Sequence, residues 1–475
     1  VAAAAGAGGH PARPLDEGTR VRRVLSVLGV LLVVLVAGGA WYLRPIAPIA
    51  TGYAAQIVCG AVHLQGRTVE AGLDDLPANP LVPFLRVEAG EDDVRATLLG
   101  LAGSRAVAEP GNGCRLVDGS SPEVRAVAAV ESGTDDLVVP DDPSAAADAL
   151  GLDVATLQAA VAEAFAEDLP DDAVRGTRAV LVVHAGQVVA EQYAAGFGPD
   201  TPLIGWSMGK SMAHAVVGRL VLEGALAVDE NDLWSGWTGD DPRRAITLQQ
   251  LLEMTDGLAF EEVYDPDTDA TRMLFTPGDA GAYAADQPLV AEPGTQWSYS
   301  SGTTNIVCDV AAGRRDAAPE ALLHDLLFAP LSMTTATMGL DGAGDPVCSS
   351  FPYASARDWA RFGQLYLQDG VWAGERLLPQ GWAAHAATPV ALDTTEDGRV
   401  TPYGAHWWLN TDAQGRTRLP DAPADAYWAS GNEGQQVVVL PSHDTVVVRL
   451  GLSRGVGGTD WGLEPLLAGV VDALP

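Results

Sequence analysis

Residues 177–222 narrow what this chain can fold into more than any other stretch. The run TRAVLVVHAGQVVAEQY (177–193) holds two β-branched segments joined by Ala185-Gly186, which predicts an antiparallel hairpin. Gly205-Trp206-Ser207-Met208-Gly209-Lys210-Ser211 follows, and SMAHAVVGRLVLEGAL then carries apolar residues at helical spacing as far as Gly224. Ser207 is therefore expected at or just inside a helix N-terminus, with Lys210 one turn later on the same face. Lys210 is the only lysine in 475 residues; the chain otherwise uses arginine for positive charge. Arginine stays protonated, whereas a lysine can be tuned by burial and neighbouring charge into a neutral base. A serine hydroxyl needs such a base within hydrogen-bond reach to become a nucleophile, and a helix N-terminus supports the negative charge that then develops.

The same stretch matches Gly-x-Ser-x-Gly, the nucleophile elbow of α/β-hydrolases. That reading requires a parallel strand before the serine and an Asp then a His downstream, for which Asp421 or Asp425 with His443 could serve. A hairpin precedes Ser207 instead, His443 falls in a tight Pro-Ser-His-Asp turn, and no His-Gly-Gly motif occurs. Ser207 and Lys210 are taken as the working pair, and Gly205 and Gly209 as incidental.

Residues 24–43 contain no charge over 20 residues, enough to cross a bilayer, and end on the aromatic pair Trp41 and Tyr42. Arg13, Arg20, Arg22 and Arg23 precede them, so the N-terminal tail, residues 1–23, is expected to be disordered and cytoplasmic, and everything after residue 43 extracytoplasmic. The rival reading makes residues 24–36 the apolar region of a secretory signal cleaved near Ala37-Gly-Gly-Ala40. Residues 44–150, Pro-punctuated with short apolar runs such as AAQIVCGAVHL, read as an extension that is β-rich or wraps around the domain. The catalytic domain is expected over 151–475. Strands there are expected at 403–409, 435–440 and 445–450, and helical segments within SARDWARFGQLYLQDG (355–370) and near the C-terminus, with Ser355 and Asp358 at capping-box spacing. Strands from both ends with helices between them predict an α+β fold: an antiparallel sheet flanked by helices, plus a helical subdomain.

Basic residues number 28 and acidic ones 62, a net charge of −34, which excludes the basic footprint that nucleic acid demands. The acidic residues are scattered and read as a solvated surface. Cys59, Cys114, Cys308 and Cys348 show no metal-ligand spacing, so no metal is expected, and serine–lysine acyl transfer needs no cofactor. All four lie beyond the apolar segment. Of three pairings, sequence proximity favours Cys59 with Cys114 and Cys308 with Cys348, the alternative being buried thiols.

SMGKS, ITLQQLLEMTDGL, PGTQWSYSSGTTNIV, SARDWARFGQLYLQDGVW and WASGNEGQ, in this order, resemble the serine β-lactamase and penicillin-binding-protein superfamily, most of all its class C-like branch of esterases and 6-aminohexanoate-dimer hydrolases. The resemblance covers about 150–475 and implies a β-lactamase-like fold. It implies Ser207 as acylated nucleophile, Lys210 as general base, and Tyr299 as the tyrosine of the family's Tyr-x-Asn motif. Its third motif falls on Ala429-Ser430-Gly431, which makes Ser430 and Gly431 substrate-binding and the backbone N–H groups of Ser207 and Asn432 the oxyanion hole. Tyr264 falls near a substrate-contacting position. Two departures stand out: the Asn of Tyr-x-Asn is Ser301, and the basic residue of the third motif is Ala429. Without that cation, penicillins and peptidoglycan stems are poor substrates, and the expected substrate is a small-molecule or short-peptide ester or amide. The alternatives are a β-lactamase or D-Ala-D-Ala peptidase of the same fold, and a non-catalytic penicillin-recognising sensor. His184, His214 and His406 are isolated in sequence and expected to be structural.

Overall fold

In the computed structural model, residues 17–100, 102–170, 173–395, 400–455 and 461–475 are described. The expected disordered tail lies mostly outside them; its last residues, 17–23, are helical. One helix, α1 (Glu17–Cys59), contains the uncharged stretch and continues through Pro45 and Pro48. Each proline removes a helical hydrogen bond, so the middle of α1 is its weakest point. On the N-terminal side Val27, Leu28, Val30, Leu31, Val33 and Val34 are each more than half exposed. On the C-terminal side Ala47, Ile49, Ala54, Ala55 and Val58 are buried. Residues 41–64 are also long and apolar enough to span a membrane, but that part is core helix, two-thirds buried in protein. AAQIVCGAVHL, which reads as a short apolar run, is thus the end of a long helix that widens into a single π-turn at Gly60–Leu64.

The β character expected of 44–150 is confined to a four-stranded antiparallel meander, β1 (Leu85–Ala89), β2 (Asp93–Leu98), β3 (Ala102–Ala108) and β4 (Cys114–Val117), packed on α1. A Cys59–Cys114 disulfide ties the end of α1 to β4 across a Cα separation of 6.1 Å. Ile49, Val58 and Leu116 share one apolar cluster with Trp206, Phe275 and Phe351, so α1 and the meander bury their faces in the same core as the rest of the chain. At Gly52 a Cβ would come within 1.8 Å of the Phe275 carbonyl oxygen, so only glycine lets α1 pass this close to the helix Asp269–Phe275.

The main sheet is antiparallel throughout, in the order β7-β8-β9-β10-β5-β6, from β5 (Thr177–His184), β6 (Gln187–Tyr193), β7 (Trp408–Leu409), β8 (Tyr427–Gly431), β9 (Gln435–Leu440) and β10 (Thr445–Gly451). Alternation divides its side chains. Val180, Val182, Val438 and Val447 pack with Leu157 and Val161 of α2 (Val154–Glu163) and with Leu466 and Val470 of the C-terminal helix. Leu181, Val183, Val437, Val439 and Val448 face the opposite core. α2 and the C-terminal helix therefore cover one face, and the other is left for α1 and the helices that build the site. These are α3 (Met208–Leu222), α4 (Ser301–Gly313) and α5 (Ala356–Leu367); the C-terminal helix is α6 (Leu463–Ala473).

Two expected elements come out differently. Of the strand expected at 403–409 only β7 forms, because His406 takes a left-handed φ of +57° and Gly404 passes so close to the Ala386 carbonyl that a Cβ would meet it at 2.0 Å. The capping box at Ser355 is half made. Ser355 Oγ accepts from the Asp358 N–H at 3.2 Å, but the Asp358 carboxylate is taken by Thr335 and Arg361, and the Ser355 N–H donates to Thr335 Oγ1.

Candidate active site

Ser207 is the N-cap residue of α3, with φ −63° and ψ −5°. The nucleophile of an elbow sits on a strained turn; here the left-handed residue is its neighbour Trp206, at φ +48°. Trp206 is 1% exposed and wedged among Tyr53, Tyr264 and Phe351, so packing holds the kink that presents Ser207. The flanking glycines, incidental on a sequence reading, are required by packing. A Cβ on Gly205 would stand 2.3 Å from Trp359, and one on Gly209 would stand 2.1 Å from the Cys348 carbonyl oxygen.

Lys210 is 1% exposed, and all three ammonium hydrogens have acceptors: Ser207 Oγ at 3.1 Å, Ser301 Oγ at 2.9 Å and the Ser349 carbonyl at 3.2 Å. Its Nζ lies 4.7 Å from the centre of the Tyr299 ring. Burial pulls the Lys210 pKa down to about 8, and the negative charge of Glu262 holds it from falling further. A base in this range is present in useful amount near neutral pH and still strong enough to take a proton from serine.

The departure at 301 explains itself in the structure. Ser301 opens α4 and bridges two charges: it accepts from Lys210 and donates its hydroxyl to Glu262 Oε1 at 2.6 Å, while its N–H donates to Glu262 Oε2 at 2.7 Å. The Glu262 carboxylate thus sits on the N-terminus of α4, where the helix dipole favours it. Ser349 completes the lysine's shell through backbone only, and the Cys308–Cys348 disulfide fastens its loop to α4. Both disulfides match the pairing favoured from sequence. Sequence reasoning missed Glu262 and Ser349. Glu262 looks no different from Glu261 in an acidic loop, and a carbonyl acceptor leaves no side-chain signal; the one available hint was the nearness of Cys348.

Tyr299 lies in the turn before α4, its ring against Trp408 at 5.1 Å and Tyr403 at 5.9 Å. Asn432 begins the turn after β8 and lines a cavity with Tyr264, which packs edge-on to Trp206 at 6.1 Å. At Gly431 a Cβ would meet the Gly205 carbonyl at 2.0 Å, so the end of β8 runs hard against the residues leading to Ser207. Ser430 Oγ accepts from Gln436 Nε2 at 2.9 Å, and Ala429 is fully buried among apolar neighbours, offering no cation to a substrate carboxylate.

The histidines stand apart from this chemistry. His406 Nδ1 is 3.0 Å from the Lys210 carbonyl and its own carbonyl accepts from Ser211 Oγ, which clamps the first turn of α3; burial, with the Lys210 charge, pushes its pKa down to about 3 and keeps it neutral. His214 is not isolated in space: it bonds Tyr366 and stacks on His385. His184 bonds Thr445. His443 bonds Ser442, which bonds Asp425, at the turn joining β9 to β10. The strand register puts that turn at the end of β9 opposite Gly431, about 16 Å from it at strand rise, so His443 does not serve Ser207.

The family model described as Beta-lactamase matches residues 162–458. The chain is 28% identical over 314 residues to the 6-aminohexanoate-dimer hydrolase of Paenarthrobacter ureafaciens, covering 61% of this chain and 76% of that protein. Among solved structures, a family VIII carboxylesterase superposes with TM-score 0.53 at 17% identity, covering 67% of this chain and 97% of the other. A penicillin-binding protein homologue from Caulobacter crescentus superposes with TM-score 0.50 at 19% identity, covering 71% and 97%.

Proposed function

The chain belongs to the β-lactamase-like superfamily of serine hydrolases, and from that premise we propose that it cleaves ester or amide bonds through an acyl-enzyme on Ser207. The observation that carries the reading is the Ser207 Oγ to Lys210 Nζ distance of 3.1 Å, with a buried lysine whose pKa is drawn down to about 8. In its neutral form Lys210 accepts the Ser207 proton as Oγ attacks the carbonyl carbon. The carbonyl oxygen takes the negative charge, and the backbone N–H groups of Ser207 and Asn432 receive it; such donors are each worth about 10²–10³ in rate. Lys210, through Tyr299, returns the proton to the departing alkoxide or amine. Water then attacks the acyl-enzyme, passes its proton back by the same route, and frees Ser207 and the carboxylic acid. Tyr264, Ser430 and Gly431 line the substrate's approach.

In this proposal the uncharged apolar part of α1, residues 24–43, is a membrane anchor with its N-terminus in the cytoplasm, and residues 44–150 and the hydrolase domain, 151–475, lie outside. Two disulfides fit an oxidising compartment. The buried Ala429, where a carboxylate-binding cation would stand, directs the substrate away from penicillins and D-Ala-D-Ala peptides. The test is turnover of p-nitrophenyl esters, nitrocefin and a D-Ala-D-Ala peptide by wild type, Lys210→Ala and His443→Ala. Ester turnover abolished in Lys210→Ala and retained in His443→Ala is expected. Nitrocefin or peptide hydrolysis at ordinary enzymatic rates would refute the substrate preference, and full activity in Lys210→Ala the mechanism.

A further inference from the structure

A cavity of about 530 Å³ begins at Asn432 and Tyr264 and runs between α1 and the segment leading into β1. Its walls are largely apolar, with Ile46, Ile49 and Ala50 from α1 facing Leu81, Val82 and Leu85, although Asn79, Thr271 and Ser453 also reach the lining. Charge does enter the lining, as Glu433 and Arg454, but these pair with each other at 2.7 Å, and Arg454 also donates to the Asp75 and Leu76 carbonyls. An occupant therefore meets no unpaired charge and gains chiefly by burying apolar surface.

Two features say what the occupant is. Asn432, whose N–H is assigned to the carbonyl oxygen, and Tyr264, which packs on Trp206 next to Ser207, line the mouth of the cavity, while Ser207, Lys210 and Tyr299 stand outside it. The space therefore opens beside the position assigned to the carbonyl oxygen and away from the residues assigned to the leaving-group proton, a placement that suits the acyl side of the scissile bond. A wider groove of about 730 Å³ adjoins it through Ile46 and Pro266 and is walled by Asp265 and Asp267 and, from α1, by Trp41, Tyr42 and Arg44. Those three residues close the exposed apolar half of α1, and an aromatic pair followed by arginine is the composition of a membrane–water boundary. Ile46 is only about 6 Å further along the helix axis than Tyr42.

We infer that the cavity between α1 and residues 76–85 is an acyl-chain pocket, loaded from the membrane boundary at residues 41–46, so that the substrate is an ester or amide of a long-chain fatty acid. This rests on the hydrolase reading above and specifies its substrate class: water adds across the acyl bond to release a fatty acid and an alcohol or amine. The half of α1 that holds the protein at the membrane and the half that lines the pocket are then one element. That continuity accounts for the long helix packed into the core beside the site.

The test uses the full chain in phosphatidylcholine nanodiscs and p-nitrophenyl esters from butyrate to decanoate. At about 0.8 kcal/mol per buried methylene, kcat/KM is expected to rise up to about fourfold per methylene until the cavity is filled. Ala50→Trp and Leu85→Trp, which fill the cavity, are expected to cut the decanoate-to-butyrate ratio at least tenfold. The ratio is internal to each variant, so lost folded protein leaves it unchanged. Wild-type rates that are flat or falling with chain length, or a ratio untouched in both variants, would overturn the pocket. A second arm needs no turnover. Dodecanoic acid bearing a diazirine near its methyl end, photolysed with Ser207→Ala, is expected to crosslink within 46–53 and 76–85. Crosslinks confined to residues 24–43 would overturn the pocket even if esters were hydrolysed. If no ester of any length reacts, the hydrolase reading fails, and the crosslinking arm still decides the pocket.

Discussion

Replacing Glu262 by glutamine removes a charge, keeps the shape and leaves one of the two acceptor oxygens that Ser301 uses. Ser301 Oγ is 2.9 Å from Lys210 Nζ and 2.6 Å from Glu262 Oε1, so the two charges are at most about 5.5 Å apart. At an effective dielectric constant of about 20, Coulomb's law gives about 3 kcal/mol, or about two pKa units. Glu262 is partly exposed, so solvent screening reduces this to about one unit. The sign follows from the charge: Glu262 favours the protonated lysine, and its loss lowers the Lys210 pKa from about 8 to about 7. Because the neutral amine is the active form, the rise of kcat/KM with pH should move to lower pH by about one unit. The plateau above it should fall several-fold, because a weaker base extracts the serine proton less well. The assay is a pH profile of p-nitrophenyl ester hydrolysis for wild type, Glu262→Gln and Glu262→Asp, with the aspartate restoring part of the shift. An ascending limb that stays in place or moves to higher pH in Glu262→Gln would refute the reasoning.

Other outcomes can be checked by thermal melts. Gly209→Ala drives a Cβ into the Cys348 carbonyl and should cost more than about 2 kcal/mol or prevent folding, although alanine is the better helix former. Cys308→Ser with Cys348→Ser opens a link across 40 residues, which loop entropy values at about 4 kcal/mol, and should also lower activity by loosening the Ser349 carbonyl from Lys210. Asp309 is raised to about 9 by burial first and by Asp345, Asp279 and Asp341 next, so the proton it holds in the fold is lost progressively by the unfolded chain above pH 4. Its stabilising contribution is complete below pH 3.8 and is lost as pH rises through 9. Asp309→Asn should raise Tm at pH 7–9, with the gain vanishing near pH 3.5.

What the sequence discloses and what it withholds divide along the range of the interactions. The hairpin before Ser207, the helix after it and strands β9 and β10 follow from local periodicity and turn residues. The lysine–serine pair is legible because three positions on a helix fix their own geometry. The shell around Lys210 is not. Ser301, Glu262 and the Ser349 carbonyl reach it from segments 91, 52 and 139 residues away, and nothing local in EEVYDPD distinguishes the carboxylate that turns inward. Gly205 and Gly209 carry no sign of the Trp359 ring and Cys348 carbonyl that exclude a side chain. In α1 the misleading signal is Pro45 and Pro48, which read as a boundary between an anchor and a separate module. Once apolar partners line its C-terminal half, the helix runs through both.

The central claim, that Ser207 is acylated with Lys210 as its base, is tested most directly by labelling with a fluorophosphonate and locating the adduct by peptide mass. The account predicts one adduct, on Ser207, formed at least about 10² times more slowly in Lys210→Ala and unchanged in rate in His443→Ala. An adduct on any other residue, or undiminished labelling of Lys210→Ala, would contradict it.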